Sequence, residues 1–307
     1  MRAVWQGGRV TADGLIVVDK PAGMTSHDVV ARIRRLARTR RVGHGGTLDP
    51  MATGVLIIGV NKATRLLTYV IGSEKSYAAT VRLGESTITD DAEGDVTATA
   101  AVDGVEDAAV HDGLAAQRGE IDQVPSAVSA IKVDGKRAYK RVREGEEFEL
   151  PARRVTISRL DVLDLRRTVT TDGRQVIDVD IEVTCSSGTY IRAIARDLGQ
   201  TLGVGGHLTA LRRTAVGRMT LAEAFSLEQL EEKAPDVVSL PMAEAARQTF
   251  QQREATADEA RVLSHGGPLT PIGVEGPYAV FAPSGELLAI VSEQTGRARA
   301  EIVLAPA

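Results

Sequence analysis

The apolar residues of this chain fall into short runs and alternations that predict strands, with helical stretches between them. Leu15-Ile-Val-Val18, leading to Asp19-Lys20, predicts a buried strand that Pro21-Ala-Gly23 stops. Thr25-Ser26-His27-Asp28 has the form of a capping box and predicts a helix through about Ala37. Val55-Leu-Ile-Ile-Gly-Val60 predicts a strand, Ala63 to Val70 a helix, and the alternation from Ser76 to Leu83 another strand. Gly84 to Gly94 reads as a polar loop and Val110 to Arg118 as a helix.

The stretch from Ile121 to Leu150 breaks this pattern. It begins Gln123-Val-Pro125, carries Lys132, Lys136, Arg137, Lys140, Arg141 and Arg143, and ends in the acidic Glu144-Gly-Glu-Glu-Phe-Glu149. Cations with little apolar periodicity predict a surface excursion rather than core. Val155 to Leu165 and Val176 to Cys185 have the period-two character of strands. Tyr190 to Leu202 reads as a helix closed by Gly203, and Leu208 to Val216 as a return to the sheet. Ser226-Leu-Glu-Gln229 is a second capping box before a helix to about Lys233, and Pro235 to Phe250 reads as a connection. Beyond it come a short helix, Asp258 to His265, and β runs at Tyr278–Phe281, Leu287–Val291 and Ala300–Leu304. Turns rich in Gly and Pro separate these runs, which predicts a small β-barrel. No repeat or low-complexity tract interrupts the chain, and the order of elements favours the α+β class.

Composition narrows the class further. At 307 residues the chain can bury a large core and is long enough for two domains. A hydrophobic fraction of 43% and a charged fraction of 25% fit a soluble globular protein. The net charge of −4 argues against a protein that coats nucleic acid without discrimination. Aromatics at 3% confine any base-stacking platform to a few specific residues. The single cysteine, Cys185, excludes an internal disulfide framework and a cysteine zinc cluster, and is expected to be buried. The first eight residues lack the apolar segment of an export signal, and no apolar run reaches membrane-spanning length. A cytoplasmic location is expected.

The chemistry concentrates in His44-Gly-Gly-Thr-Leu-Asp49-Pro50-Met-Ala-Thr-Gly54, just before the apolar run at Val55. Glycines allow positive φ and close approach of a ligand, and Pro50 biases Asp49 toward an extended backbone. An acid on a stiff loop at the mouth of a strand is a common working position. Asp-Pro is also an ordinary turn opener, and local chemistry leaves the two readings even. No phosphate loop, dinucleotide fingerprint or Gly-x-Ser-x-Gly elbow is present. The histidines His27, His44, His111, His207 and His265 have no metal-ligand spacing, so no metal is expected.

Gly43-His-Gly-Gly-Thr-Leu-Asp49-Pro-Met-Ala-Thr-Gly54 resembles the catalytic motif of the bacterial TruB-type tRNA pseudouridine-55 synthases. Val18-Asp-Lys20-Pro-Ala-Gly23-Met-Thr-Ser26, Lys75-Ser-Tyr77, Ser129-Ala-Ile-Lys132-x-x-Gly135-Lys and Gly188-Thr-Tyr190-Ile-Arg192 resemble it as well, in the same order. The resemblance implies a mixed, mainly antiparallel sheet with flanking helices over residues 1–248, with an RNA-binding insertion at about 121–150. It also implies a small PUA-like β-barrel over 249–307, although that match is weaker. The implied reaction isomerises uridine in the T-arm of tRNA to pseudouridine, with no cofactor, and no obligate protein partner is evident.

In the family the matching aspartate is the nucleophile, which makes Asp49 the catalytic residue and leaves open whether it attacks C1′, attacks the base or deprotonates C2′. Arg192 matches the arginine that pairs with it, and an adjacent cation typically lowers a carboxylate pKa by about 1–3 units. Tyr77 matches the tyrosine on the target base, placed to help proton transfer, and Tyr190 and Leu211 match residues of the uracil pocket. His44 corresponds to the histidine that fills the space left by the flipped base, Lys20 to a lysine supporting the site, and Asp91 to a loop acid near the substrate. Ile88 stands where many relatives are polar. Arg35, Arg41, Lys132, Lys136, Arg137 and Lys140 become candidates for the RNA backbone. Two other readings remain: an RNA-binding or RNA-remodelling protein without catalysis, and a glycoside hydrolase, for which the sequence names no second acid.

Overall fold

A computed structural model describes residues 11–128, 132–133, 136–137 and 150–306. The strand β1 (Gly14–Lys20) leads into helix α1 (Ser26–Leu36), where Thr25 and Asp28 each accept the other's backbone N–H as the predicted capping box. β2 (Val42–Gly45) and β3 (Thr53–Val60) flank the Asp49 loop. A 3₁₀ turn (Asn61–Leu66) and the short α2 (Leu67–Ile71) stand where one helix was expected. β4 (Lys75–Leu83) is followed by a ribbon of β5 (Glu85–Thr87) and β6 (Val96–Thr99), then α3 (Asp107–Ala115). Next come β7 (Gly119–Gln123), the short β8 (Lys132–Val133) and β9 (Lys136–Arg137), and the long β10 (Arg153–Val169) and β11 (Gln175–Cys185). α4 (Ile191–Thr201), β12 (Gly206–Val216), β13 (Met219–Thr220) and α5 (Leu227–Lys233) follow. β14 (Leu240–Pro241) and α6 (Met242–Thr249) occupy the stretch read as a connection. The chain continues with β15 (Gln251–Glu254), α7 (Ala257–Ser264), β16 (Tyr278–Phe281), β17 (Leu287–Gln294) and β18 (Arg297–Val303). The class is α+β with mainly antiparallel pairing, as predicted. Among the described residues no helix is long and apolar enough to cross a membrane.

Two compact units share the chain. One takes the residues up to Leu48, Val55–Ile71 and the chain from Gly217; the other takes Asp49–Gly54 and Gly72–Val216. In the second unit β12, β4, β11, β10 and β7 form an antiparallel sheet in that order. The first two residues of β3, Thr53 and Gly54, add to it in parallel beside Arg212 and Arg213. Along β4 the residues Lys75, Tyr77, Ala79, Val81 and Leu83 are buried and those between are half-buried, the alternation read from the sequence. Cys185 is buried, and burial pushes its thiol up to about 11. α4 packs on β12, and its Ile194, Ala195 and Leu198 are buried. The approach is close enough that a Cβ on Gly199 would lie 2.1 Å from the carbonyl carbon of Gly205.

In the first unit β1 lies between β14 and β3, and β2 pairs antiparallel with β3. The C-terminal strands depart from the predicted barrel. They form an open sheet in the order β15-β16-β17-β18, with β15 parallel to β16 and the other pairs antiparallel. The reason lies in the central strands, which are apolar on both faces. Tyr278, Val280, Leu288 and Val291 pack with Leu263 of α7 and with Leu269. Ala279, Phe281, Leu287 and Ile290 pack with Leu66 and with Ala246 of α6. A sheet covered on each face has no apolar side left to close upon.

Gly199→Ala forces a methyl group into backbone. Overpacking of this kind costs roughly 1–3 kcal/mol, and we expect a loss of about that size in a urea titration. An unchanged midpoint would show that the α4–β12 approach relaxes freely.

Candidate active site

The residues that lead up to Asp49 and the loop that carries it are each held by contacts to backbone within their own unit. Lys20 is fully buried, and its ammonium donates to the carbonyls of Pro21 at 2.9 Å and Met24 at 2.6 Å. That closes the turn leading to α1. Ser26, buried in the first turn of α1, accepts the Leu48 N–H at 2.9 Å and donates its hydroxyl to the Leu48 carbonyl at 3.2 Å. The residue before Asp49 is thereby fixed. On the far side, the Ala52 N–H donates to the Asp49 carbonyl at 3.1 Å, and the Glu93 carboxylate accepts the Met51 N–H. Gly54 has φ +96°, and a Cβ there would lie 2.2 Å from the Arg213 carbonyl oxygen. Only glycine lets β3 begin in backbone contact with β12.

Arg192 holds the carboxylate in place. Its Nε lies 3.0 Å from Asp49 Oδ2 and its Nη1 3.4 Å from Asp91 Oδ2. Nη1 also donates to the Thr89 carbonyl at 2.7 Å, and Nη2 to the Val128 carbonyl at 2.9 Å. Asp91 is itself held by the Thr89 hydroxyl at 2.5 Å and by the Glu93 N–H at 3.0 Å. The Arg192 side chain is 5% exposed, whereas that of Asp49 is 36% exposed. The cation is part of the framework, and the anion is open to a ligand.

Tyr77 stands opposite Arg213 and Ala79 opposite Leu211 in the β4–β12 pairing, so the four side chains share one face. Tyr77, Leu211 and Arg213 are all buried. Burial pushes the Tyr77 phenol up; Arg213, which also bonds its hydroxyl, pulls the other way, and the Asp49 carboxylate adds to the rise. The phenol therefore stays protonated at neutral pH. Lys75, two residues away on the same face, is pushed down to about 8 by burial and then by Arg213.

Two of these neighbours were not anticipated. Arg213 had a legible signal, since it shares the inward parity of Leu211 in a strand, where a cation needs a partner. Glu93 had none, because its approach to the Asp49 loop depends on the course of the β5–β6 connection. Burial, then Asp91, pushes its carboxyl up; the Met51 N–H opposes this and Asp49 adds to the rise.

The remaining predicted residues are placed as follows. Tyr190 is half-buried at the N-cap of α4, where its N–H donates to Gln123 Oε1 at 2.8 Å and its carbonyl accepts Gln123 Nε2 at 3.1 Å. Lys20 and His44 belong to the other unit. His44 lies in β2, its ring edge-on to His27 with centroids 5.3 Å apart. In the arginine run, Arg32 pairs with Glu231 at 2.6 Å and Arg34 donates to the Val42 carbonyl at 3.1 Å. Arg35 and Arg41 are exposed and have no carboxylate partner among the described residues. Lys132, Lys136 and Arg137 lie in β8 and β9, with Lys132 opposite Arg137; Lys140 falls outside the described residues. Among the described residues no three His, Cys, Asp or Glu side chains gather as a metal site.

The site can be set beside known proteins. Residues 34–191 match the family described as TruB family pseudouridylate synthase, N-terminal domain. Residues 192–239 match the tRNA pseudouridylate synthase B C-terminal domain, and residues 250–305 match tRNA pseudouridine synthase II, C-terminal. The tRNA pseudouridine synthase B of Thermobifida fusca (strain YX) is 55% identical over 294 residues, covering 96% of this chain and 99% of its own. That of Streptomyces griseus is also 55% identical, over 96% of this chain and 98% of its own. Among solved structures, a Cbf5-Nop10-Gar1 complex matches with a TM-score of 0.71 at 27% identity, over 95% of this chain and 85% of that one. An H/ACA RNP bound to a substrate RNA containing 2'-deoxyuridine matches with a TM-score of 0.69 at 25% identity, over 95% and 85%. With its open carboxylate, its buried arginine and these relatives, the chain belongs to the TruB family of pseudouridylate synthases.

Proposed function

We propose that this chain isomerises uridine to pseudouridine at position 55 in the TΨC loop of tRNA, with Asp49 as the nucleophile. The Asp49–Arg192 pair carries the proposal: the carboxylate is accessible while its counter-charge is locked in the fold. The N1–C1′ bond breaks, the uracil turns, C5 joins C1′, and the proton from C5 is lost as N1 gains one. A carboxylate that forms a transient bond divides this hard step into easier ones. The target base leaves its stack to reach Asp49, and His44 fills the space it vacates. Tyr77 lies against the base and, being protonated, relays a proton through the hydroxyl that Arg213 holds. Tyr190 and Leu211 line the uracil pocket, Asp91 orients Arg192, and Lys20 supports the loop.

The segment 121–150 and the PUA-like domain from residue 249 onward are assigned to tRNA binding, with Arg35, Arg41, Lys132, Lys136, Arg137 and Lys140 against the backbone. The same flipping surface gives the protein a second use as a tRNA-folding chaperone. The enzyme works in the cytoplasm without a cofactor.

An unmodified T-arm stem-loop incubated with wild type and Asp49→Asn tests the assignment. We expect pseudouridine from wild type only, with RNA binding retained in the variant; equal product from both would remove Asp49 from the chemistry. Tyr77→Phe keeps the ring and loses the hydroxyl, so single-turnover rates should fall while the affinity for the stem-loop holds. An unchanged rate would confine Tyr77 to stacking. Each phosphate neutralised steepens the fall of log K with log salt by roughly 0.7–0.9. A flat salt dependence of tRNA binding would therefore contradict the assigned substrate.

A further inference from the structure

Arg192 has a companion one turn along α4. Arg196 lies four residues on, so the two side chains leave the same face of the helix. Each meets one of two consecutive acids. Arg192 Nη1 lies 3.4 Å from Asp91 Oδ2, and Arg196 Nη1 lies 3.5 Å from Asp90 Oδ2. The Arg196 side chain is 19% exposed and that of Asp90 14%, so neither is a solvated surface charge. Arg196 also donates from Nη2 to the Val124 carbonyl at 2.7 Å, from Nη1 to the Pro125 carbonyl at 3.4 Å and from Nε to Asp197 Oδ1 at 2.8 Å. Four residues beyond Val124 stands Val128, whose carbonyl accepts from Arg192 Nη2 at 2.9 Å.

Asp90 is held from its own side as well. Its backbone is left-handed, with φ +59°, a conformation that aspartate and asparagine adopt more readily than most residues. Its N–H donates to the Thr87 carbonyl at 3.3 Å, and its carbonyl accepts the Leu208 N–H of β12 at 3.0 Å. Burial pushes its carboxyl up, while the Ser126 hydroxyl and then Arg196 pull the other way. Its chain neighbours Thr89 and Asp91 both meet Arg192 Nη1. The groups on the two Nη atoms of Arg192 thus come from two stretches, 89–91 and 124–128, and Arg196 with Asp90 ties these stretches to each other and to α4. A planar guanidinium whose fork is fixed in this way has one orientation left for its Nε. We infer that Arg196 and Asp90 are positioning residues that act through Arg192, setting the orientation in which it meets Asp49. The inference rests on the function proposed above.

The test measures single-turnover rate and stem-loop Kd for wild type, Asp90→Asn, Arg196→Gln and the double variant Asp90→Asn/Arg196→Gln. Asparagine tolerates the left-handed backbone, so Asp90→Asn removes the charge and keeps the shape. A misplaced reacting group lowers rate rather than affinity, and we expect each single variant to lose roughly ten-fold in rate with Kd unchanged. Because both residues act as one pair, the double variant should lose no more than the worse single variant. An unchanged rate in variants that melt above the assay temperature would overturn the inference. So would losses that multiply in the double variant, and so would rate and affinity that fall together, which would make the pair part of an RNA-binding surface only. If a single variant leaves a buried charge unpaired and does not fold, the double variant, which removes both charges, decides by the same comparison of rate with affinity. Exchange of the Arg192 Nε–H with water needs no turnover. The Arg192 side chain is 5% exposed, and this exchange should be faster in Arg196→Gln than in wild type; equal exchange would overturn the inference. A wild type that forms no pseudouridine, with faster exchange in the variant, would count against the function and not against this pair.

Discussion

A guanidinium almost without access to water, shared by two carboxylates, is the interaction on which the site depends. Arg192 stands in the first turn of α4, where the helix dipole already favours negative charge and where no acid of the helix itself is present. A cation there is unfavourable unless anions come to it. Asp49 arrives on one loop and Asp91 on another, while the Thr89 and Val128 carbonyls take remaining donors. Removing either partner of such a pair typically costs more than the pair itself contributes, because a buried charge is left behind. The loops are thus tied to the helix by the charges of the candidate site.

The rest of the second unit serves this placement. α4 lies close on the turn into β12 because Gly199 presents only hydrogen to it. β3 starts against Arg213 because Gly54 does the same. Between those two contacts, distances in the site are set by backbone, which is stiffer than any side-chain packing. The exposed fraction of Asp49 leaves its carboxylate open to a ligand.

Much of this was legible in the sequence where the cause is local. The capping box at Thr25 and Asp28 and that at Ser226 and Gln229 form as read, since each needs only residues three apart. Strands β1, β3, β4 and β11 follow from apolar runs and alternation. What escaped depends on distant partners. Tyr278-Ala-Val-Phe281 is apolar at every position, and nothing in those four residues says whether a barrel interior or two separate layers will cover them. Glu93 and Asp91 differ by two positions, yet one caps the Met51 N–H and the other binds Arg192. Their separate duties come from the path of the loop. The pairing of Asp49 with Arg192 spans most of the unit, and resemblance to a family anticipated it where periodicity could not.

The two-sided burial of the C-terminal sheet also bears on how the chain folds. Leu66 packs with Phe281, Leu287 and Ile290, residues made more than two hundred positions later. Contacts of such long sequence separation close slowly, because the loop entropy is lost before the contact rewards it. During synthesis the apolar surface around Leu66 stays uncovered until the last strands emerge, while the antiparallel neighbours β10 and β11 can already pair. The protein is therefore most prone to aggregation in the interval before β16 and β17 dock. Folding helpers would find their longest opportunity at that late stage, and not at the assembly of the antiparallel sheet of the second unit.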